Sequence, residues 1–287
     1  MRDEAIMVNA VKRVLVFDSG VGGLSVFDAI AGAGSELELD YVADNAWLPY
    51  GLKTDSALKA RVPALAEALC AERRPDALVI ACNTASTIAL DEVRAAVPVP
   101  VVGVVPPIKP AAAMSKTGVI GVLATPATVR RPYTDDLIAK FASGVRVVRF
   151  GSAALVAAAE EKLRGAPVPE SAIREAMDGL FGATDGGEID AVALACTHFP
   201  LLGDELRAAA PRACAWLDSG AAIARRVAQV LNAPSGRARI GRAGFTDAAA
   251  AAALQPAFAA RGFEAFVRIG AEPAFDTTQI VLSAATP

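Results

Sequence analysis

The sequence predicts an α/β protein with mainly parallel sheets, its chain organised as two similar halves. Three observations carry that expectation. Short runs rich in Val, Leu and Ile alternate with amphipathic stretches of helical spacing, the order in which parallel sheets are built. Apolar residues fill 54% of the 287 positions and aromatics only 6%, so the core is aliphatic and suits helices laid on sheets. The third observation is a repeat. Asp76 to Thr84 reads Asp-Ala-Leu-Val-Ile-Ala-Cys-Asn-Thr, and Asp190 to His198 reads Asp-Ala-Val-Ala-Leu-Ala-Cys-Thr-His. In each copy an aspartate stands six residues before a cysteine, and a polar helix start follows.

Taken in order, Val14 to Phe17 is a buried strand, closed by Asp18-Ser19-Gly20-Val21-Gly22-Gly23 and a helix from Leu24. Leu39 to Val42 is a second strand, leading to Leu48-Pro49-Tyr50-Gly51, a turn by composition. A long helix over Thr54 to Arg73 feeds the strand that ends on Cys82. Asn83, Thr84 and Ser86 offer capping oxygens for the next helix, which would bury Ala89, Val93, Ala96 and Val97. Val99 to Val105 is a strand, and Pro106-Pro107 cannot continue into regular structure.

The second half opens with a strand over Gly118 to Leu123, then Ala124-Thr125-Pro126-Ala127-Thr128 and a helix to about Phe141. Val145 to Phe150 reads as a strand, and Leu155 to Leu163 as a helix bearing Glu160 and Glu161. A helix from Ser171 and a loop over Gly182 to Gly187 precede the Cys196 strand, and Leu202, Leu206, Ala209 and Ala210 repeat the helix spacing behind it. Ala215 to Leu217 is a short strand, followed by Asp218-Ser219-Gly220 and a helix to Leu231. After the Pro234-Ser235-Gly236 break come a helix around Ala248 to Ala260, a strand over Phe263 to Ile269 and a loose tail from Gly270. The chain is expected to cross to a second domain near Pro106 and return near Asp218. Residues 1–107 with 218–287 would then form a discontinuous first domain, and 108–217 the second.

Composition narrows the function. Lys and Arg number 28 against 31 Asp and Glu, well mixed, for a net charge of −3. No basic stripe with interleaved aromatics announces nucleic acid. The four cysteines, at 70, 82, 196 and 214, lack the spacing of a disulfide framework. With no Cys-x-x-Cys and a single histidine, a structural zinc site is disfavoured. The opening Met1-Arg-Asp-Glu-Ala-Ile is charged and too short to read as a signal peptide, and Met7 offers an alternative start. No apolar run reaches the roughly 18 residues that a membrane span needs. A cytoplasmic protein with reduced thiols is expected, with a small-molecule substrate and without membrane or nucleic-acid partners.

A single cysteine at a strand end is usually a packing residue. Two in matched nine-residue contexts ask for another explanation. Each sits where a strand stops and a helix starts, beside unpaired N–H groups that favour negative charge, including a thiolate. Facing each other across a cleft, Cys82 and Cys196 could remove a proton from one face of a carbon and deliver one to the other, a two-base racemisation or epimerisation. Charge building on an adjacent carboxylate would need donors, which Asn83, Thr84 and Thr197 supply. His198, the only histidine, reads as tuning or shuttling the proton of Cys196, though it could merely cap its helix. Asp18, at a strand end with a Gly-rich bend, reads as an ammonium partner or relay. The same bend is a poor phosphate loop, since Ser25 holds the place of the third glycine. By pattern, Glu160 reads equally as a solvated helix residue. Cys70 and Cys214 have no twin and read as packing residues.

These residues resemble a family, the cofactor-independent glutamate racemases of the aspartate/glutamate racemase superfamily. The resemblance rests on Val16-Phe-Asp-Ser-Gly-Val-Gly-Gly-Leu, Tyr41-Val-Ala-Asp, Pro49-Tyr-Gly, Val79-Ile-Ala-Cys-Asn-Thr-Ala, Val101-Val-Gly-Val-Val, Leu194-Ala-Cys-Thr-His-Phe-Pro-Leu-Leu and Leu217-Asp-Ser-Gly. It covers the chain from about Val14 to Leu231. It implies two pseudo-symmetric α/β domains with the active site in the cleft between them. It implies Cys82 as the base for D-glutamate and Cys196 as the base for the L-enantiomer, with Asp18 and His198 as helpers and Glu160 at an acidic position. Asp18, Ser19, Pro49, Tyr50, Gly51, Asn83, Thr84, Thr125, Thr197 and His198 are the implied substrate-binding residues. Neither pyridoxal phosphate nor a metal is implied, and the D-glutamate would supply peptidoglycan. Ala195, where a glycine commonly stands, together with Pro106, Pro126 and Trp47-Leu48, departs from the pattern. The competing expectations are an aspartate racemase of the same fold, a non-catalytic two-domain binding protein, and a thiol–disulfide enzyme, the last disfavoured by the missing Cys-x-x-Cys.

Overall fold

The computed structural model of the chain describes residues 11–270, so the leader, the alternative start at Met7 and the tail over 271–287 lie outside the described residues. Among the described residues, ten strands build two parallel sheets. The first contains β1 (Lys12–Asp18), β2 (Leu37–Ala43), β3 (Ala77–Ile80), β4 (Val101–Gly103), β9 (Arg239–Phe245) and β10 (Ala265–Arg268), in the order β10-β9-β2-β1-β3-β4. The second contains β5 (Val119–Ala124), β6 (Arg146–Gly151), β7 (Ala191–Leu194) and β8 (Ala215–Leu217), in the order β6-β5-β7-β8. Their pairings are parallel throughout. Strands β1 to β4 and β5 to β8 are thus laid out in one pattern, and the first sheet adds two strands beyond β2. The expected mixture of parallel sheets and helices in two similar halves is the architecture found.

The aliphatic runs explain why the central strands lie where they do. Leu15 and Phe17 pack to one face of the first sheet, Val14 and Val16 to the other, and all four are fully buried. Burial of that kind is worth about 1.5–3 kcal/mol for each large side chain. The aspartates of the repeat have a physical task. Asp76 accepts from the Arg13 N–H at 2.8 Å and from Lys12 Nζ at 2.9 Å, locking the entry of β3 beside β1. Asp190 accepts from the Ser115 hydroxyl at 2.6 Å and the Lys116 N–H at 2.7 Å, locking β7 beside the start of β5. Six residues further on, each chain has crossed its sheet and emerges at the carboxyl edge with a cysteine.

Several local expectations need correction. Strand β9 falls in a segment that pattern alone left unassigned. A helix, Ile108–Met114, begins directly after Pro107, because a proline pair stops a strand yet pre-sets the backbone for a first helical turn. The helix behind Cys82 is two pieces, Asn83–Ile88 and Leu90–Ala96, divided where Ala89 leaves helical geometry at φ −123°. Ala89, Val93 and Val97 are buried as expected, while Ala96 is only half-buried. Behind Cys196, a 3-10 turn over Phe199–Leu202 precedes the short helix Gly203–Ala209; Leu202 and Leu206 are buried, Ala209 is exposed and Ala210 half-buried. The region around Ala248 is likewise two short helices, Ala248–Ala251 and Gln255–Ala259, joined by a 3-10 turn. Among the described residues no helix is long and apolar enough to cross a membrane.

Candidate active site

The site grows from the carboxyl edges of the two sheets. Ile80 ends β3, and Cys82 follows in extended geometry as the cap of the helix Asn83–Ile88. Leu194 ends β7, and Cys196 follows in the matching place. Both cysteines open onto one cavity of about 420 Å³ between the sheets. Asn83 and Thr84 line it from the first lobe, Thr197 and His198 from the second. Ser19, Pro49, Tyr50, Gly51, Thr125 and Glu160 complete the group of expected residues along its wall. Asp18 is the exception. It is fully buried behind Ser19 and does not reach the cavity.

Around Cys82, the Ser19 hydroxyl lies 3.6 Å from the sulfur. Burial and then the Asp18 charge push this thiol up to about 12, with the Ala85 N–H and the Ser19 hydroxyl pulling the other way. Asp18 Oδ2 accepts from the Gly20 N–H at 2.9 Å, while Oδ1 has no hydrogen-bond partner among the described residues. Burial raises the proton affinity of this carboxyl as well. Cys82 is therefore protonated at rest, with a buried acid behind it. Its proton is held more tightly in the folded than in the unfolded chain. Its contribution to stability is then complete below pH 9 and fades as pH rises toward about 12. Alkylation by iodoacetamide, followed by peptide mass spectrometry, is expected to be far slower at Cys82 than at free cysteine at pH 8, and to keep rising with pH beyond pH 9, where free cysteine levels off. Rapid labelling of Cys82 at pH 8 in the folded protein would contradict this assignment.

The Cys196 side is an alternating chain of groups. Cys196 Sγ lies 3.8 Å from His198 Nδ1, and His198 Nε2 lies 2.8 Å from Glu160 Oε1. Glu160 Oε1 also accepts from the Val21 N–H at 2.9 Å, and Oε2 accepts from Arg164 Nη1 at 3.2 Å. Burial disfavours a charged His198, but the hydrogen bonds with Cys196 and Glu160 outweigh it and raise the imidazole well above its ordinary value. Burial likewise disfavours a charged Glu160, yet the bond to His198 holds the carboxyl below its usual range. Glu160 is only 4% exposed, so the solvated reading of this residue is excluded.

The loop after β1 closes this assembly from the opposite lobe. A Cβ at Gly20 would stand 2.2 Å from Glu160 Oε1, and one at Gly22 would stand 2.3 Å from His198 Nδ1. Glycine is needed at both places for close approach. The Ser25 hydroxyl lies 2.8 Å from the carbonyls of both Gly22 and Thr197, spanning the lobes.

On the remaining wall, Pro49 follows a cis peptide bond and Tyr50 presents its ring. The Tyr50 hydroxyl points away, donating to Asp44 Oδ2 at 2.7 Å. Asp44 is in turn clamped by Arg61 through Nε at 2.6 Å and Nη2 at 2.7 Å, and by the Thr246 hydroxyl at 2.9 Å. The Thr125 hydroxyl caps its own helix turn by accepting from the Thr128 N–H at 3.2 Å. Asn83 Oδ1 has no hydrogen-bond partner among the described residues. Among the described residues no cluster of three or more His, Cys, Asp or Glu is placed to hold a metal ion.

Sequence reasoning missed Arg164 and the Asp44–Arg61 clamp. The signal for Arg164 was present, since it stands four residues after Glu160 on one helical face.

Two parallel-sheet lobes that offer matched cysteines to one cavity define a paired-thiol α/β protein. Comparison with known proteins places it more narrowly: the Asp/Glu/Hydantoin racemase family matches residues 25–227, and the chain belongs to that family. It is 54% identical over 217 residues to a glutamate racemase of Sphingopyxis alaskensis, covering 76% of this chain and 81% of that one. It is 46% identical over 230 residues to a glutamate racemase of Pectobacterium carotovorum, covering 79% and 80%. Its fold matches a crystal structure of Escherichia coli glutamate racemase in complex with L-glutamate and the activator UDP-MurNAc-Ala, with a TM-score of 0.84 and 41% identity over 91% of this chain and 98% of that one. A glutamate racemase from Thermus thermophilus in complex with beta-chloro-D-alanine matches with a TM-score of 0.72 and 31% identity.

Proposed function

We propose that this protein interconverts L- and D-glutamate by proton transfer between two thiols, supplying D-glutamate for peptidoglycan. One observation carries the reading: Cys82 and Cys196, from equivalent strand ends of the two sheets, line a single cavity. The glutamate racemases that share 54% and 46% of their aligned residues with this chain support the choice of substrate. Following the family resemblance, Cys196 takes the α-hydrogen of L-glutamate as a proton, with the imidazolium of His198 beside it and Glu160 holding the ring. The electron pair left on the α-carbon spreads into the α-carboxylate, where Asn83, Thr84 and Thr197 with nearby amides receive the added charge. Cys82, protonated at rest, delivers its own proton to the opposite face. D-glutamate leaves, Cys82 is now the thiolate and Cys196 the thiol, and the reverse reaction starts from that form. Asp18, behind Cys82, is the relay that returns a proton to the Cys82 thiolate, and the proton that Cys196 took passes to water, which restores the resting form. Because the Tyr50 hydroxyl is committed to Asp44, the Tyr50-Gly51 turn serves the distal carboxylate through its backbone. Thiols act as the bases themselves, so the reaction draws on no pyridoxal phosphate or metal.

We read residues 1–107 with 218–287 and residues 108–217 as the two domains, a division supported by the membership of the two sheets. Free thiols at all four cysteines suit a reducing cytoplasm. Assembly as a homo-oligomer is carried over from the family resemblance alone. The test is incubation of each glutamate enantiomer in heavy water without added cofactor, followed by chiral separation and mass spectrometry at low conversion. First-formed product should carry deuterium at the α-carbon while unreacted substrate stays protiated, because each monoprotic thiol returns the hydrogen that it took. Largely protiated product would mean that one base serves both faces. No conversion at all would end the racemase reading.

A further inference from the structure

We propose that Arg164 is a positioning residue for the Cys196 half of the reaction, acting through the Glu160 carboxylate; this rests on the racemase reading above. Arg164 caps the helix Ala154–Leu163 one turn beyond Glu160, and its side chain reaches back to the cavity wall. The division of labour on Glu160 is what assigns the role. Oε1 is fully used, by His198 Nε2 at 2.8 Å and the Val21 N–H at 2.9 Å. Oε2 receives Arg164 Nη1 at 3.2 Å. A carboxylate held at one oxygen alone can turn about its last bond or take up a proton. Either change would leave the imidazole without the acceptor that fixes its ring. The guanidinium prevents both, by pinning the second oxygen and by favouring the ionised form of a group buried away from water. Charges then alternate along Arg164, Glu160 and His198 up to the Cys196 sulfur, an arrangement in which each group supports the state of the next.

Two further observations separate this role from direct capture of substrate. Arg164 Nη1 also lies 3.6 Å from Glu161 Oε1, so two carboxylates already answer its charge, and a third from glutamate would meet a neutralised partner. The Cys82 sulfur takes its polar contact from Ser19, on the other lobe, which Arg164 meets at one remove, through Glu160 and the Val21 N–H. The effect of Arg164 therefore falls chiefly on the Cys196 transfer.

That one-sidedness can be measured. The enantiomers have equal free energy in water, so kcat/KM must fall equally in both directions whichever thiol is impaired. Isotope effects are not so constrained. Arg164→Gln keeps a donor but removes the charge, and Arg164→Lys restores the charge with a different geometry. With Arg164→Gln, kcat is expected to fall roughly tenfold, part of what a positioned acid–base group contributes. The α-deuterium isotope effect on kcat/KM should rise for L-glutamate, whose hydrogen goes to Cys196, and fall for D-glutamate, whose hydrogen goes to Cys82. Arg164→Lys should recover most of the rate and both isotope effects. A raised KM with unchanged kcat and isotope effects would overturn the proposal, since the guanidinium would then be binding substrate. Isotope effects that move together, or no change, would overturn it as well. Wild-type protein assayed alongside separates the two readings: an inactive wild type counts against racemisation itself, an active one with an unaffected Arg164→Gln variant only against Arg164.

Discussion

Serine in place of either Cys82 or Cys196 is expected to lower racemisation by about a thousandfold, within the range assigned to a positioned acid–base group. The shapes are nearly the same, so the pocket survives; what changes is the proton. A hydroxyl is a far weaker acid than a thiol, and an alkoxide is not reachable at neutral pH in a site that already pushes the Cys82 thiol up to about 12. The two variants should fail differently. Cys82→Ser retains Cys196 with His198 and Glu160, so its residual racemisation should be limited at the Cys82 step, with the α-deuterium isotope effect on kcat/KM raised for D-glutamate and lowered for L-glutamate. Cys196→Ser should show the opposite pattern. Cys70→Ser and Cys214→Ser serve as the comparison. Cys70 packs among Leu65, Leu69 and Val93 beneath the first sheet, and Cys214 packs beside the second, neither on the cavity. Serine there should cost stability yet leave kcat/KM within about twofold, as expected away from the chemistry. If Cys70→Ser were as inactive as Cys82→Ser, the pairing of Cys82 with Cys196 would be the wrong one.

What pattern revealed and what it hid follow from the range of the forces involved. The strands around Val14, Leu39, Ala77, Val119 and Ala191 are apolar because both of their faces are covered, so composition alone exposes them. The paired cysteines stood out because their neighbours are contiguous: Cys82 with Asn83 and Thr84, Cys196 with Thr197 and His198. Strand β9 did not. Its sequence, Arg-Ile-Gly-Arg-Ala-Gly-Phe, has no apolar run, and its glycines answer to neighbours distant in the chain. A Cβ at Gly241 would meet Asp40 Oδ1 at 2.1 Å, and one at Gly244 would meet Ile269 at 2.9 Å. The same limit applies in the site. Glu160 is separated from His198 by 38 positions, so nothing local distinguishes it from the solvated Glu161 beside it. Tyr50 shows the converse, a motif residue correctly placed at the cavity whose hydroxyl is claimed from behind by Asp44. Asp18 is similar, a strand-end acid that the fold sets behind the wall instead of in it.

Alanine at Gly22 is expected to remove most of the activity without touching either thiol. The added carbon would stand 2.3 Å from His198 Nδ1, 2.7 Å from Cε1 and 2.8 Å from Cγ, distances that no pair of such atoms sustains. The imidazole cannot simply swing away, because it is buried and tied through Nε2 to Glu160, which Val21 and Arg164 hold in turn. Either the ring leaves its contact with Cys196 or the loop after β1 lifts from the second lobe. Both outcomes misplace the Cys196 proton relay, and a displacement near 1 Å costs about a hundredfold in rate. Overpacking should also lower stability by about 1–3 kcal/mol, an amount a domain of this size tolerates. Gly144→Ala is the matched control, since a Cβ there meets nothing within 4 Å. The measurements are kcat and KM in both directions, with thermal unfolding to establish that the Gly22→Ala variant is folded when assayed. The Cys82 transfer lies on the other wall, so the α-deuterium isotope effect on kcat/KM should rise for L-glutamate and fall for D-glutamate. A folded Gly22→Ala variant with the kcat of wild type would mean that the contact between this loop and His198 is dispensable to the proton path.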